Sequence, residues 1–235
     1  MQEHCKIGRT AILIFANSSK EELKYKNIPK GKIVFEGLTE HALNTAKKTG
    51  LPYFLLSEKE QSGSCFGERF VNAICSIFVK DFDNIITIGN DTPQIKSSDI
   101  IQASRLVQAK KSVLGPSMDG GFYLMALHKS QFNPKAFKKL PWRENTLFKK
   151  ISALIEAASA DIIRLRVLAD LDTKADLKRI LKGLEYRPEK IFKLILSLVV
   201  PVIKIMVQAF IPLSFKFKSV YFNKGSPSYF IHYTF

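Results

Sequence analysis

The stretch VLGPSMDGGFYLMAL, Val113 to Leu127, is apolar at both ends and interrupted in its middle. Each apolar end has the length and composition of a buried β-strand. Asp119, Gly120 and Gly121 stand in the interruption, and adjacent glycines permit backbone angles and close approaches that are closed to other residues. The pattern predicts a core strand that is broken at a functional point and then resumes, while a packing bulge would leave the same pattern.

Elsewhere in the chain, apolar runs of strand length alternate with stretches whose apolar residues recur every three or four positions. The predicted strands are Thr10–Ala16, Leu51–Leu56, Asn84–Ile88 and Asp161–Val167. The predicted helices are Gly31–Lys48, Phe66–Val79, Ser97–Lys110, Thr146–Ala158 and Lys174–Gly183. This alternation is typical of an α/β fold with a mostly parallel sheet and helices on both faces.

Composition narrows the class of protein and its partners. The 235 residues suffice for one sizeable domain and an appendage. The three cysteines form neither a metal-type cluster nor an even disulfide set, and no secretory signal is recognisable, so a cytoplasmic protein is expected. The net charge of +15 comes without a basic–aromatic repeat, so we expect no nucleic-acid partner. A basic surface suits an anionic substrate or an anionic membrane equally well.

Aspartates follow several of the predicted strands. Asp91 stands in GNDTP, Asp119 in the interrupted stretch and Asp172 in ADLDT. Ligands of open α/β sheets bind beyond the carboxyl ends of the strands, so these side chains should share one edge. Carboxylates gathered there repel one another unless a cation joins them, and hard divalent cations prefer oxygen ligands. Each aspartate alone also fits an ordinary turn or cap, but their coincidence favours a site.

Five motifs occur in an order and spacing that carry a family resemblance. They are EQSGSCFGERF at 60–70, GNDTP at 89–93, LGPSMDGGFYLMAL at 114–127, LPW at 140–142 and DLDTKADL at 170–177. Together they resemble a bacterial family of glycosyltransferase-A-fold proteins. Its members are often labelled selenodomain-associated or arsenosugar-type glycosyltransferases, and they are related to sugar-nucleotide and molybdenum-cofactor nucleotidyltransferases. The resemblance implies a Rossmann-like fold that binds a nucleoside-diphosphate sugar together with a divalent cation, Mg²⁺ or Mn²⁺.

Roles can be predicted for single residues. The resemblance makes Asp91 the metal ligand, and the carboxylates gathered at the same edge add Asp172 as a second ligand. Asp119 would accept hydrogen bonds from sugar or acceptor hydroxyls, or would act as the base that deprotonates the acceptor. Gly120 and Gly121 would let the nucleotide sugar approach the backbone without meeting a β-carbon.

Three further residues are predicted to contact the substrate, and two of them have a structural alternative. They are Asn90, Arg69 and Trp142. Arg69 either binds phosphate bidentately or pairs with Glu68 and neighbouring carboxylates. Trp142 follows a proline on a loop, where it either closes over the acceptor or simply packs.

The first loop departs from the family pattern. Similar proteins have a Gly-Lys-Thr-Arg-type loop after the first strand, whereas this chain has ANSSKEELKYK, residues 16–26. Ser18 with Glu21, or Ser19 with Glu22, has the spacing of a capping box and predicts a helix start. Glutamates in a first helical turn repel an incoming phosphate. Lys20 is then the obvious cation close to this loop.

Three functions therefore stay open. The first is a metal-dependent glycosyltransferase that moves a sugar to a small or lipid-linked acceptor. The second is an inactive or repurposed member that binds a nucleotide or a protein partner through the same cleft. The third is a nucleotidyltransferase, which the lack of cations in the first loop disfavours.

The composition changes after Gly183 and divides a domain, residues 1–184, from a basic, apolar tail, residues 185–235. Ile191–Leu213 has the pattern of an amphipathic helix kinked at Pro201. Three placements fit it: an anionic membrane surface at the inner face of the membrane, docking on its own domain or on the mate in a homodimer, and a membrane span. Lys204 disfavours the span, because a charge at the bilayer centre is costly.

Overall fold

The computed structural model describes residues 8–28, 30–158, 161–182 and 190–197. Six strands form one sheet in the order β2-β1-β3-β5-β4-β6. The strands are β1 (Thr10–Phe15), β2 (Tyr53–Leu56), β3 (Asn84–Ile88), β4 (Ser112–Pro116), β5 (Phe122–His128) and β6 (Ile162–Arg164). The pairs β1–β2, β1–β3 and β4–β6 are parallel, and β5 is antiparallel to both of its neighbours. The predicted mostly parallel sheet is confirmed.

Helices cover both faces of this sheet, as the alternating pattern predicts. They are α1 (Ser19–Glu22), α2 (Gly31–Lys47), α3 (Phe66–Phe78), α4 (Ser97–Gln108), α5 (Pro134–Lys138), α6 (Leu147–Ala157) and α7 (Lys174–Lys182). A short 3₁₀ turn occupies Lys129–Gln131, and residues 190–197 are also helical.

The continuous apolar runs of the central strands have a simple cause. Alternate residues of a strand point to opposite faces, and here both faces are covered. In β1, Leu13 packs with α3 and α6 on one face, whereas Ile12 and Ile14 pack with α2 and α4 on the other. Neither face needs polar residues, so the strand reads as TAILIF.

The interrupted stretch is a hairpin, and the prediction of one resumed strand was wrong. β4 ends at Pro116, the chain turns, and β5 returns antiparallel beside it with a register shift at Gly115 and Pro116. Apolar runs carry no sign of strand direction, so one broken strand and a hairpin have the same sequence pattern. Gly120 has a φ of +92°, and a β-carbon there would overlap the backbone of Asn145. Glycine is therefore required by the turn itself.

The described part of the tail packs against its own domain. Ile191, Phe192 and Ile195 are buried in a third apolar cluster with residues of α2 and α7, and Lys190 pairs with Glu40 at 3.0 Å. The predicted boundary at residue 184 and the remaining tail, residues 198–235, lie outside the described residues. Within the part of the chain that is described, no helix is both long and apolar enough to cross a membrane.

Candidate functional site

A cleft of about 370 Å³ opens where the carboxyl ends of β1, β3 and β4 meet the segment that follows β6. This is the edge at which open α/β sheets bind ligands. Asp91 follows β3, Asp119 stands in the β4–β5 turn, and Asp170 and Asp172 follow β6. All four side chains line the cleft. The prediction that Asp91 and Asp119 face one cleft from one edge of the sheet is confirmed.

Asp91 and Asp172, the predicted metal ligands, are joined by a lysine. The Lys26 ammonium lies 2.8 Å from Asp172 Oδ1 and 3.4 Å from Asp91 Oδ2. It also contacts Glu22 Oε2 at 3.1 Å. Burial lowers the pKa of Lys26, but the negative charges of Asp91, Glu22 and Asp172 outweigh burial and raise it above its ordinary value. Lys26 is therefore a permanent cation inside the cleft.

Sequence reasoning missed Lys26 and named Lys20 as the cation nearby. Lys20 is exposed on α1 and is not among the residues that line the cleft. α1 ends at Glu22, and the Lys26 amide donates to the Glu22 carbonyl at 2.9 Å. This extra turn places the side chains of residues 22 and 26 together and directs both into the cleft. The spacing of four residues was the available signal.

The start of α1 is held from outside the first loop. Ser18 Oγ accepts from the Glu21 amide at 3.4 Å, which is half of the predicted capping box. The other half is absent, because the Ser18 amide and hydroxyl both donate to Glu58, each at 2.7 Å. Burial raises the pKa of Glu58, but the two hydrogen bonds from Ser18 outweigh it and the net pKa is lowered.

Both glutamates of α1 have partners within the protein. Glu22 is buried, and its two oxygens accept from Asn17 at 2.9 Å and contact Lys26. Its charge is thus compensated within the protein. Glu21 pairs with Lys24 at 2.5 Å at the surface. The predicted repulsion of phosphate by both glutamates is reduced by these pairs.

Asp170 is a site residue that sequence reasoning passed over. Its carboxylate accepts from Thr92 Oγ1 at 2.5 Å. Burial raises its pKa, and so does the negative charge of Asp91 and Asp119, so that its pKa is about 7 despite hydrogen bonds from Thr92 and Ser117. The motif DLDT contains both Asp170 and Asp172. The sequence therefore indicates a carboxylate at this strand end but does not say which of the two aspartates is buried in the site.

Asp119 is organised by its own turn. Its Oδ1 accepts from the Ser117 hydroxyl and, at 3.0 Å, from the Gly121 amide. The residue is exposed, and its Oδ2 makes no hydrogen bond to the described residues. Gly121 lines the cleft, whereas Gly120 is not among its lining residues. Gly121 is therefore the glycine whose backbone a nucleotide sugar in the cleft could approach, whereas Gly120 is required by the geometry of the turn.

The remaining predicted contacts divide between free and engaged side chains. Arg69 lines the cleft, and its guanidinium makes no hydrogen bond or ion pair to any residue that the structure describes. The alternative partner, Glu68, accepts instead from the amide and hydroxyl of Ser64. Asn90 lines the cleft but donates to Thr39 Oγ1 at 2.9 Å, which ties the end of β3 to α2.

Trp142 belongs to an aromatic wall of the cleft. It packs against Phe66, Phe70 and Phe122 with ring centroids 5.0 to 6.2 Å away, and its Nε1 donates to the Phe137 carbonyl at 2.9 Å. Arg143 follows it with a φ of +70° and places its guanidinium 5.5 Å from the Phe66 ring centroid. The sequence offered no signal for Arg143 as a lining residue.

The donor set fits a hard divalent cation on one condition. Mg²⁺ and Mn²⁺ are commonly held by one or two carboxylates plus water and substrate phosphate, and Asp91 and Asp172 are such a pair. The acidic surplus of this edge, expressed in the raised pKa of Asp170, also favours an added cation. Across the described ranges, no group of three His, Cys, Asp or Glu side chains is arranged to hold a metal ion. The condition is that Lys26 moves away from both carboxylates.

Comparisons with known proteins agree with the motifs. The family model described as "Uncharacterized protein conserved in bacteria (DUF2064)" matches residues 22–144, which is more than half of the chain. No protein of curated function matches the sequence.

A solved structure with a TM-score of 0.70 shares the fold, and weaker similarities to others accompany it. A candidate nucleotide-diphospho-sugar transferase from Desulfovibrio desulfuricans G20 is similar with a TM-score of 0.70 and 19% identity, over 86% of this chain and 98% of that one. Rv0371c from Mycobacterium tuberculosis H37Rv gives 0.47 and 13%, over 76% and 100%. A 4-diphosphocytidyl-2C-methyl-D-erythritol synthase from Anaerococcus prevotii DSM 20548 gives 0.47 and 10%, over 74% and 94%. The resemblance drawn from the motifs is confirmed at the level of family and fold.

Proposed function

The chain belongs to the bacterial family DUF2064, and from that premise and the geometry of the cleft we propose that it binds a nucleoside-diphosphate sugar and transfers the sugar to an acceptor hydroxyl. One observation carries the proposal. The carboxylates Asp91, Asp119 and Asp172 from three separate strand ends meet in one cleft that also holds Arg69, whose guanidinium is unpaired among the described residues. Carboxylates gathered in a cleft are typical of functional sites, because their mutual repulsion is relieved when a cation or substrate binds.

The phosphates of the donor would bind between the carboxylate edge and the arginines. Arg69 offers a guanidinium with no partner among the described residues, and planar guanidinium groups bind phosphate oxygens bidentately. Arg143 also lines the cleft. These two side chains supply the positive charge that the first loop was expected to lack.

Asp91 and Asp172 would hold the divalent cation. A divalent ion held by these two carboxylates would supply positive charge that stabilises the charge of the leaving diphosphate. The role of the protein is then to fix both carboxylates at the strand ends. The Leu171 amide does so by donating to the Asp91 carbonyl at 2.8 Å, which joins the segment after β6 to the end of β3.

Asp119 would serve as the base. Its Oδ1 is held by Ser117 and Gly121, so Oδ2 is the oxygen that can accept the proton of the acceptor hydroxyl. The acceptor oxygen then bonds to the anomeric carbon as the bond from that carbon to the phosphate oxygen breaks, and the nucleoside diphosphate leaves with the electron pair. General bases of this kind contribute about 10²–10⁴-fold to a rate.

A second function is favoured by one observation. Lys26, the cation that the first loop places in the cleft, is already paired with three carboxylates. A protein that binds a nucleotide or a protein partner without catalysis would tolerate this arrangement.

A nucleotidyltransferase is favoured less, because attack on an α-phosphate needs cations free to meet a triphosphate. Association with an anionic membrane and formation of a homodimer stay predictions, and both depend on the tail.

Calorimetry with UDP-, GDP- and ADP-linked sugars, each with Mn²⁺ and with chelator, tests the proposal. We expect one donor class to bind with Mn²⁺ and to be hydrolysed slowly, with water acting as the acceptor. Binding without any release of sugar would favour the nonenzymatic alternative. Absence of binding for every donor under both conditions would refute the proposed function.

A further inference from the structure

Lys26 occupies the position that a divalent cation would take between Asp91 and Asp172. We propose that Lys26 is a tethered counter-ion that fills this position in the metal-free protein and is displaced when a divalent ion binds. This inference rests on the proposed function, since that function places the divalent ion on the same two carboxylates. It adds a competition between a side chain and a metal for one site.

The contacts of the ammonium group leave no room for a second cation on the same oxygens. The ammonium nitrogen lies 2.8 Å from Asp172 Oδ1, 3.1 Å from Glu22 Oε2 and 3.4 Å from Asp91 Oδ2, so three carboxylates already surround it. A divalent ion bound by Asp91 and Asp172 would lie about 2.0–2.1 Å from their oxygens, within the space that the ammonium fills. The two cations also repel each other at that range. One must leave before the other can bind both carboxylates.

Glu22 gives the displaced lysine an alternative position. It lies one helical turn before Lys26, so the pair belongs to the same local segment and does not depend on the cleft edge. Asn17 holds the second oxygen of Glu22 at 2.9 Å, which keeps the carboxylate in place. The flexible lysine stem can therefore release Asp91 and Asp172 and keep Glu22. In that position the ammonium can also donate to a ligand phosphate.

The competition predicts that removing the ammonium tightens metal binding. We would titrate Mn²⁺ into the full chain by calorimetry, without any nucleotide, for the wild type, Lys26→Met and Lys24→Met. The expected affinity of Lys26→Met for Mn²⁺ is about tenfold or more above that of the wild type, a typical coupling between two competing ligands. Unchanged or weaker Mn²⁺ binding by Lys26→Met would overturn the proposal.

Lys24→Met is the matched control. Lys24 stands on the same segment and carries the same charge, but it pairs with Glu21 at the surface. The variant therefore changes net charge and local sequence equally, without touching Asp91 or Asp172. Its Mn²⁺ affinity should stay near the wild-type value. An equal gain in both variants would mean that general charge, and not displacement of Lys26, sets the affinity, and the proposal would fail.

A second measurement needs no variant and so does not depend on the folding of Lys26→Met. Amine-reactive labelling of the wild-type chain, read by mass spectrometry, compares Lys26 with Lys24 as an internal reference. We expect Mn²⁺ to raise the labelling of Lys26 relative to Lys24 several-fold, because the amine leaves two of its three carboxylates. An unchanged ratio at saturating Mn²⁺ would contradict displacement.

The outcomes separate this inference from the proposed function. If Lys26→Met gains Mn²⁺ affinity but no nucleotide sugar binds to either protein, the displacement stands and the proposed function fails. If nucleotide sugars bind while Mn²⁺ affinity is the same in both proteins, the proposed function stands and the displacement fails. If neither protein binds Mn²⁺ or a nucleotide sugar, both are wrong.

Discussion

The first loop, residues 17–26, and the β4–β5 turn, residues 117–121, both stand at strand ends and both line the cleft, but they are built differently. Within the turn, Ser117, Asp119 and Gly121 bond to one another, and these bonds fix the Asp119 carboxylate. Distant backbone also holds the turn, because the Met118 amide donates to the Leu168 carbonyl at 3.0 Å. The first loop is held by distant partners, with Glu58 at its start and Asp91 and Asp172 at its end. The Asp119 carboxylate is therefore positioned by its own turn, whereas the charge of the first loop is balanced by distant carboxylates.

The largest expected effect comes from the turn. Asp119→Asn keeps a side-chain oxygen for Ser117 and Gly121 but removes the base, so we expect the rate of donor hydrolysis to fall about 100-fold or more. The affinity for the nucleotide sugar should stay unchanged. Single-turnover hydrolysis and calorimetry measure the two effects. An unaltered rate would leave Asp119 as a turn residue alone.

The next effect concerns the partners of the first loop. Asp91→Asn neutralises one of two predicted metal ligands, and we expect binding that depends on Mn²⁺ to weaken about tenfold or more. The melting temperature without metal should change little, because the lost contact with Lys26 is offset by less repulsion of Asp170. Calorimetry and thermal unfolding provide the two readouts.

Asp81→Asn is the control for that prediction. Asp81 has a φ of +62°, a conformation that Asn adopts readily, and it pairs with Arg9 away from the cleft. The charge change is the same, so ligand binding should not respond. If Asp81→Asn weakened binding as much as Asp91→Asn, net charge and not coordination would explain the loss.

A smaller effect separates the two glycines of the turn. Gly120→Ala must adopt a φ of +92° and also meets the Asn145 backbone, so we expect a loss of about 1–3 kcal/mol in the free energy of unfolding. Residue 121 does not have a positive φ, and the β-carbon of Gly121→Ala would lie 3.1 Å from Ser117 Oγ. The loss in the free energy of unfolding should therefore be smaller than for Gly120→Ala. Denaturant unfolding measures both. Equal costs would show that the turn does not select glycine at residue 120.

The smallest effect tests how the first loop is anchored. The pKa of Glu58 is lowered in the folded state, so its contribution to stability is present above its ordinary value of 4.5 and is lost as the pH falls through the folded-state pKa. Glu58→Gln should lower the free energy of unfolding by about 1 kcal/mol near neutral pH and by less in acid. Denaturant unfolding of the wild type and of Glu58→Gln at pH 7 and at pH 3 gives the cost of the substitution at each pH. Equal costs at the two pH values would contradict an anchor that depends on the ionised carboxylate.

Much of the site could be predicted from the sequence because the ends of parallel strands meet at one edge. Asp91, Asp119 and Asp172 each follow an apolar run, so their shared cleft needed only the order of the elements. Two site residues that were not predicted, Lys26 and Asp170, are nevertheless indicated by their spacing from other site residues. Lys26 lies four residues after Glu22, and Asp170 lies two before Asp172.

Other features could not be predicted because their partners are far away in the chain. Glu58 lies 40 residues from Ser18, and Asp91 lies 65 residues from Lys26. A residue pattern records which groups could pair but not which of several carboxylates a lysine will meet. The direction of β5 was also hidden, because its apolar residues would suit a strand running either way.

Local sequence patterns specify the alternation of strands and helices, the apolar character of both sheet faces, and the aspartates at the strand ends. These follow from local periodicity, since each strand or helix needs a pattern that matches its own geometry. Only the tertiary structure decided that β4 and β5 form a hairpin and that Lys26 joins Asp91 to Asp172. The physical reason is that charge pairing depends on distance in space, which the folded backbone sets and the order of residues does not.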